Sequence, residues 1–363
     1  MITSLATAPA RAFKTPVSSH TQNGEPPTPP ERGWWDKVVD QKEGVSLLVG
    51  GSVYLRNKEE AQKLEAQLPP LAQQPAVTMQ RPLVICPGWN TELHKFDYLA
   101  AKLLASETNG DSAVYLHMGK AYADAECQLP LEQIPSNSKV FVNIWDTRKT
   151  PPQETSLQLK QNLELVRQAA GDGPIDLLGY SMGGLASRKF LDNGGQGIKN
   201  FMMLGTPNQG TRFAQMSDRV IAGEVGWALK FSGLTEQDAP AMKWLAADSP
   251  TLNELNQRWP QQLAQVERAM VVGSRHELTP AVGWLPFRKG DGMVEPERLA
   301  LPGIPTVVLE DSPFLHHGAL PHDDKVYQQM IGFFGFEPIA NSEGATGVVL
   351  ARPDGPQTPY GEL

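Results

Sequence analysis

From Pro82 onward the chain alternates short apolar runs with amphipathic segments, the pattern of a mostly parallel sheet covered by helices on both faces. Buried strands are predicted at Leu83–Cys86, Lys139–Trp145, Ile175–Gly179, Phe201–Leu204, Ala269–Val272 and Thr306–Leu309. Between them Leu159, Leu163, Val166 and Ala170 recur at helical spacing, as do Val326, Met330 and Phe334, and these read as sheet-covering helices. Glu107–Ser138 is a long connection with one plausible short strand, Ala113–His117, and reads as an insertion on the sheet's edge or top.

The flanks differ from this core. Val45–Tyr54 is β-rich and interrupted by Gly50-Gly51, and a helical run over 57–68 ends at Pro69-Pro70. Upstream, the prolines from Pro26 to Pro30 close a polar segment, and order is expected to begin near Gly33-Trp34-Trp35, where aromatic side chains first need burial. After Ile339 small polar residues, Gly and Pro follow without periodicity. The expected organisation is therefore a disordered extension over 1–33, one α/β domain over 34–338 and a disordered tail over 339–363.

Composition changes this picture little. With 363 residues, 40% of them hydrophobic and 20% charged, the chain is an ordinary globular one with enough length for a large α/β core. The net charge of −8, from 32 basic and 40 acidic side chains, disfavours nucleic acid and anionic membrane surfaces as charge-driven partners. Cys86 and Cys127 are the only cysteines, too few for a disulfide framework, which fits a reducing compartment. No run reaches the roughly 18–20 apolar residues of a membrane span, so at most peripheral membrane contact is expected. Residues 1–24 lack the compact apolar stretch of a secretory signal peptide, and the cytoplasm is the expected compartment.

Chemistry enters at Gly179-Tyr180-Ser181-Met182-Gly183. A serine hydroxyl is a poor nucleophile at neutral pH, so an enzyme using one must expose its oxygen, set a base beside it and stabilise the oxyanion that forms. In a G-x-S-x-G elbow the small flanking residues let the chain turn sharply from strand to helix with serine at the apex. The context fits, because Ile175-Asp176-Leu177-Leu178 reads as a strand and Leu185–Leu191 as a helix ending at Asn193-Gly194-Gly195. An ordinary tight turn is the bland alternative. The oxyanion would take one N–H from Met182 and a second from Trp89, in Pro87-Gly88-Trp89-Asn90 after the strand Leu83–Cys86.

Histidine suits the base, since its unperturbed pKa of about 6.5 lets it take and return a proton near neutrality. In this kind of fold the order is serine, acid, histidine, with the histidine after the last strand. Of the seven histidines only His316, His317 and His322 lie there. His317 is preferred over His316, while His322 reads as the start of the last helix. Together with Asp323 and Asp324 the three could form a metal cluster, but acidic residues opening a helix are commonplace, and no metal or cofactor is implied. The orienting acid is assigned to Asp291, in Gly290-Asp291-Gly292-Met293-Val294, with Glu277 and Asp311 as competitors and a simple turn aspartate as the alternative.

Taken together these residues resemble the lipase and esterase branch of the α/β-hydrolase superfamily, the triacylglycerol-lipase-like serine hydrolases, from about Pro82 to Phe336. Besides the elbow, Leu204-Gly205-Thr206-Pro207-Asn208-Gln209-Gly210-Thr211 resembles a Leu-Gly-Thr-Pro-His-x-Gly-Thr loop of such lipases. Ser249-Pro250-Thr251-Leu252-Asn253-Glu254-Leu255-Asn256 resembles their Ser-Pro-Phe-Leu-x-x-Leu-Asn segment. Two departures stand out: Pro87 replaces a frequent histidine before the glycine, and so does Asn208, whose change is expected to bear on pocket lining.

The resemblance implies the α/β-hydrolase fold with a helical lid or roof inserted at about 211–262, where Phe213, Met216 and Val220, then Trp227 and Phe231, recur at helical spacing. A fixed roof and a moving lid are both compatible with that stripe. It also implies ester hydrolysis by Ser181, His317 and Asp291, with an acyl ester, lipids included, as the partner. The same residues would serve an acyltransferase or thioesterase, and a non-catalytic binding protein that kept the fold is the reading from another class.

Overall fold

Short apolar runs bounded by turns do form the predicted strands. The computed structural model describes residues 76–339 except 124–126, 147, 222–234 and 281–286, together with a few positions between 59 and 68. The expected boundary near Trp34, the strand over 45–54, Trp227, Phe231 and both tails lie outside the described residues. Of the run over 57–68, Glu59, Gln62 and Lys63 are helical.

The central strands are β1 Leu83–Cys86, β2 Val114–His117, β3 Lys120–Tyr122, β4 Gln128–Leu129, β5 Val140–Asn143, β6 Ile175–Tyr180, β7 Ile198–Leu204, β8 Arg268–Ser274 and β11 Thr306–Leu309. A separate hairpin, β9 Glu277–Pro280 and β10 Phe287–Gly290, lies between β8 and β11 in the chain. The helices are α1 Asp97–Leu103, α2 Pro152–Ala170, α3 Met182–Asp192, α4 Arg212–Ile221, α5 Ala239–Leu245, α6 Pro250–Gln257, α7 Trp259–Leu263 and α8 Asp324–Phe334.

The nine strands form one sheet in the order β11-β8-β7-β6-β1-β5-β2-β3-β4. From β11 to β2 all neighbours are parallel, and β3 and β4 extend that edge antiparallel. This is the mostly parallel sheet with helices on both faces expected from the sequence. The insertion over 107–138 does lie at the sheet's edge, but it supplies three strands rather than one. Lys120–Tyr122 and Gln128–Leu129 are too short and too polar to stand out by alternation, and pairing with β2 is what makes them strands. The hairpin β9–β10 was likewise unpredicted.

Side chains alternate between the faces, as the period-two geometry of a strand requires. Leu83, Ile85, Leu178, Met202 and Leu204 join α1 and α8 on one face. Val84, Cys86, Leu177, Phe201 and Met203 join α2 and α3 on the other. Each fully buried aliphatic side chain contributes about 1.5–3 kcal/mol, so packing on the sheet, more than helix propensity, holds these helices. Local signals set their ends: Pro152 opens α2, Gly171 stops it at a φ of 93°, and the Asp323 carboxylate caps α8 by accepting from the N–H groups of Lys325 and Val326.

Helices α4 to α6 fall within the expected insertion and pack around Met182 and Leu185 at the start of α3, while Trp259 of α7, at the end of that segment, joins the cluster on the α2 and α3 face of the sheet. Of the expected apolar stripe, Phe213 is buried in the cluster around Met182 and Leu185, and Met216 is buried as well. No helix among the described residues is long and apolar enough to cross a membrane.

Strand order places the site. The chain leaves β1 for α1 and the far edge, returns at β5 and then crosses to β6 on the other side of β1, so the carboxyl ends of β1 and β6 lie side by side. In open α/β sheets the crevice at such a reversal is where ligands bind.

Candidate active site

Ser181 occupies the single residue between β6 and α3, with φ 52° and ψ −125°. For a non-glycine residue this backbone costs on the order of 1–3 kcal/mol and persists only where the surroundings enforce it. Here the Ser181 N–H donates to the Leu204 carbonyl at 2.8 Å, and the Gly184 N–H returns to the Ser181 carbonyl at 3.0 Å. The glycines make the approach possible. A Cβ on Gly183 would stand 2.2 Å from the Cys86 carbonyl oxygen, and one on Gly184 would stand 2.1 Å from Thr206 Oγ1.

The predicted oxyanion loop is close by. A Cβ on Gly88 would come within 2.6 Å of Ser181 Cβ and 3.1 Å of its Oγ, so the turn after β1 runs directly against the serine. Trp89 is anchored from outside the loop: its indole N–H donates to Asp238 Oδ1 at 3.0 Å, and Arg148 donates to both oxygens of that carboxylate, at 2.9 and 2.6 Å. Burial by itself would raise the Asp238 carboxyl. The Arg148 hydrogen bonds and charge, with donors from Thr235, outweigh burial and hold it below the usual carboxylate range.

The structure brings Ser181, His317 and Asp291 together. His317 Nε2 lies 2.8 Å from Ser181 Oγ, and its Nδ1 lies 2.7 Å from Asp291 Oδ2. A carboxylate can only accept, which assigns the proton to Nδ1 and leaves Nε2 as the acceptor facing serine. Asp291 is buried, and its other oxygen accepts from the N–H groups of Met293 at 2.9 Å and Val294 at 2.7 Å. The two loops are also stitched by the His317 N–H donating to the Asp291 carbonyl at 2.7 Å. Beneath the ring, the Tyr180 hydroxyl donates to the His317 carbonyl at 2.6 Å.

The competing residues go elsewhere. Glu277 sits beside His316, 3.6 Å from its Nε2, and Asp311 is exposed with a φ of 61°. His322 ends a 3₁₀ turn immediately before the helix, edge-on to Tyr98, rather than starting α8. Asp323 is the cap of α8, and Asp324 pairs with Lys102 at 2.6 Å, so these two join no metal cluster with the histidines.

Two positions were misjudged or missed. Asn208 is not a lining residue: it is fully buried, accepting from Arg188 Nη1 at 3.0 Å and donating to the Leu299 carbonyl at 2.7 Å. Arg188 is the centre of that network. Itself fully buried on α3, it also donates to Gln262 Oε1 at 3.0 Å and Asn256 Oδ1 at 2.8 Å, with its guanidinium over the Trp259 ring. It thereby ties the serine-bearing helix to the 204–211 loop and to α6. Its signal was a charge three residues from both Leu185 and Leu191, inside an apolar stripe. Arg188→Met is expected to cost about 3 kcal/mol by leaving buried acceptors without donors. Urea denaturation should show the midpoint falling at an unchanged slope, and Arg188→Lys should recover little, because a point charge cannot match a planar fork.

No family model matches the sequence, and no curated protein does. Among solved structures, the chain is similar to the mature lipase BlEst2 of Bacillus licheniformis, with 15% identity over 72% of this chain and 94% of that one and a TM-score of 0.45. It is similar to the esterase EaEST of Exiguobacterium antarcticum at 14% identity, over 71% and 93% of the two chains, with a TM-score of 0.38. A lipase-esterase related protein of Clostridium acetobutylicum is similar at 10% identity, over 72% and 96%, with a TM-score of 0.40.

Proposed function

We propose that this protein is a serine hydrolase of carboxylic esters acting through an acyl-enzyme. The observation that carries the reading is the line from Asp291 Oδ2 through His317 to Ser181 Oγ, with separations of 2.7 and 2.8 Å, at a strained strand-to-helix apex. In this reading Ser181 Oγ attacks the ester carbonyl as its proton passes to His317 Nε2, and Asp291 steadies the imidazolium. The N–H groups of Met182 and Trp89 receive the oxyanion, each donor contributing about 100- to 1,000-fold in rate. Collapse expels the alcohol with the proton from His317. Water, deprotonated by His317, then attacks the acyl-serine and releases the acid.

Labelling of the purified protein with a fluorophosphonate, together with turnover of p-nitrophenyl esters from short to long acyl chains, tests the reading. One labelled serine per chain and measurable hydrolysis are expected. If no label attaches and no ester of the series is cleaved, the reading is lost in favour of a binding protein. An ester product formed from an added alcohol in preference to free acid would instead assign an acyltransferase.

A further inference from the structure

Beside this site the chain gathers a second group of chemistry-bearing side chains that the proposed reaction does not use. His276 and Glu277 sit at the start of the hairpin, and His316 precedes His317 after β11. We propose that His276, Glu277 and His316 form a binding site for a divalent transition-metal ion with zinc-like preferences.

Geometry carries the proposal. Glu277 Oε1 lies 3.4 Å from His276 Nε2 and 3.6 Å from His316 Nε2, and one ligand atom from each of the three lies within 4.8 Å of the others. Hydrogen bonds between nitrogen and oxygen run at about 2.7–3.2 Å, so neither separation is a hydrogen bond. Zinc held at about 2.0–2.1 Å from nitrogen and about 2.0–2.2 Å from oxygen in a tetrahedron sets its ligands about 3.3–3.5 Å apart. The His276 separation lies within that range and the His316 separation just above it, while the two imidazoles, with ligand atoms within 4.8 Å of each other, would draw closer on a shared ion.

The donor set is selective. Two imidazoles and one carboxylate suit zinc, cobalt, nickel or copper, whereas magnesium and calcium prefer oxygen alone. Exposure is graded across the group, with the side chains of His316, Glu277 and His276 at 4%, 13% and 32%. That leaves a solvent path at His276. His317, although adjacent, is no competitor, since both its ring nitrogens already face Asp291 and Ser181.

The location gives the site a consequence. Glu277 pairs in register with Gly290, the residue before Asp291, and the His276 N–H donates to the Gly290 carbonyl at 2.7 Å. A metal ion held by these three side chains therefore pins the segment carrying Asp291 to the segment carrying His317, within one residue of each. Metal binding itself does not depend on the hydrolase reading.

The test uses the full-length protein stripped with a chelator and returned to metal-free buffer. Cobalt(II) titration is expected to develop the visible absorption of a four-coordinate nitrogen/oxygen site, saturating at one equivalent. Zinc(II) is expected to displace it and to raise the melting temperature by several degrees, by mass action on the folded state. His276→Ala and Glu277→Gln, both at partly exposed positions, are expected to melt like the stripped protein and to lose the cobalt spectrum and the zinc shift. Absence of both signals in the unmutated protein, their survival in His276→Ala, or an equal stabilisation by calcium would each overturn the assignment. Running the same titrations on Ser181→Ala keeps the two readings separate, since that variant retains the metal signals whatever the fate of ester hydrolysis.

Discussion

Ser181→Ala is expected to abolish labelling by fluorophosphonate and to lower kcat for ester hydrolysis by about a million-fold, while the protein remains folded. The loss is chemical because Ser181 Oγ is the hydroxyl that stands 2.8 Å from His317 Nε2. The backbone at position 181 is already strained at φ 52°, and alanine meets the same steric penalty as serine, so the elbow gains no new conformational cost. The melting temperature should stay within a few degrees of the unmutated value. A variant that retained labelling, or turned over esters within tenfold of the parent, would remove Ser181 from the role assigned to it. Whatever slow hydrolysis is left over the uncatalysed rate would come from the N–H donors of Met182 and Trp89 and from substrate binding.

Asp291→Asn should be nearly as damaging, with kcat lower by about ten-thousand-fold. Its surroundings dictate how the amide must lie. One carboxylate oxygen accepts from the N–H groups of Met293 and Val294, so the amide oxygen takes that place. The NH₂ group is then left facing His317 Nδ1, where the carboxylate had accepted. Nδ1 must now accept, its proton moves to Nε2, and the ring presents a donor to a serine that needs an acceptor. The fold should tolerate the change, since shape and the turn hydrogen bonds survive. Steady-state kinetics measures the rate, and imidazole nitrogen NMR reads the tautomer directly. A kcat within tenfold of the parent, with the proton still on Nδ1, would assign the orienting role elsewhere.

These two outcomes rest on features of unequal legibility. The elbow could be read because everything it needs is local: an apolar run, a small residue on either side of serine, then a helical stripe. Gly183 and Gly184 are where the structure admits no side chain, so the physical demand is written at the positions themselves. The covering helices were legible for the same reason, with Leu159, Leu163 and Val166 all fully buried on the face their spacing marked. The choice between His316 and His317 was of another kind. The two are adjacent and chemically identical, and only the path of the chain after β11 aims one at Ser181 and the other at Glu277.

Sequence by itself determined the alternation of strand and helix, the strained apex at Ser181 and the three residue types the chemistry requires, because each depends on neighbours a few positions apart. Tertiary structure alone decided the rest. It paired β3 and β4 into the sheet, set a carboxylate 26 residues from its histidine at 2.7 Å, buried Arg188 among amides from three segments and gathered His276, Glu277 and His316. Those relations join parts of the chain whose separation has no period. Only the packing of the sheet and its loops, which buries apolar surface wherever it can, fixes which distant polar groups are left facing one another.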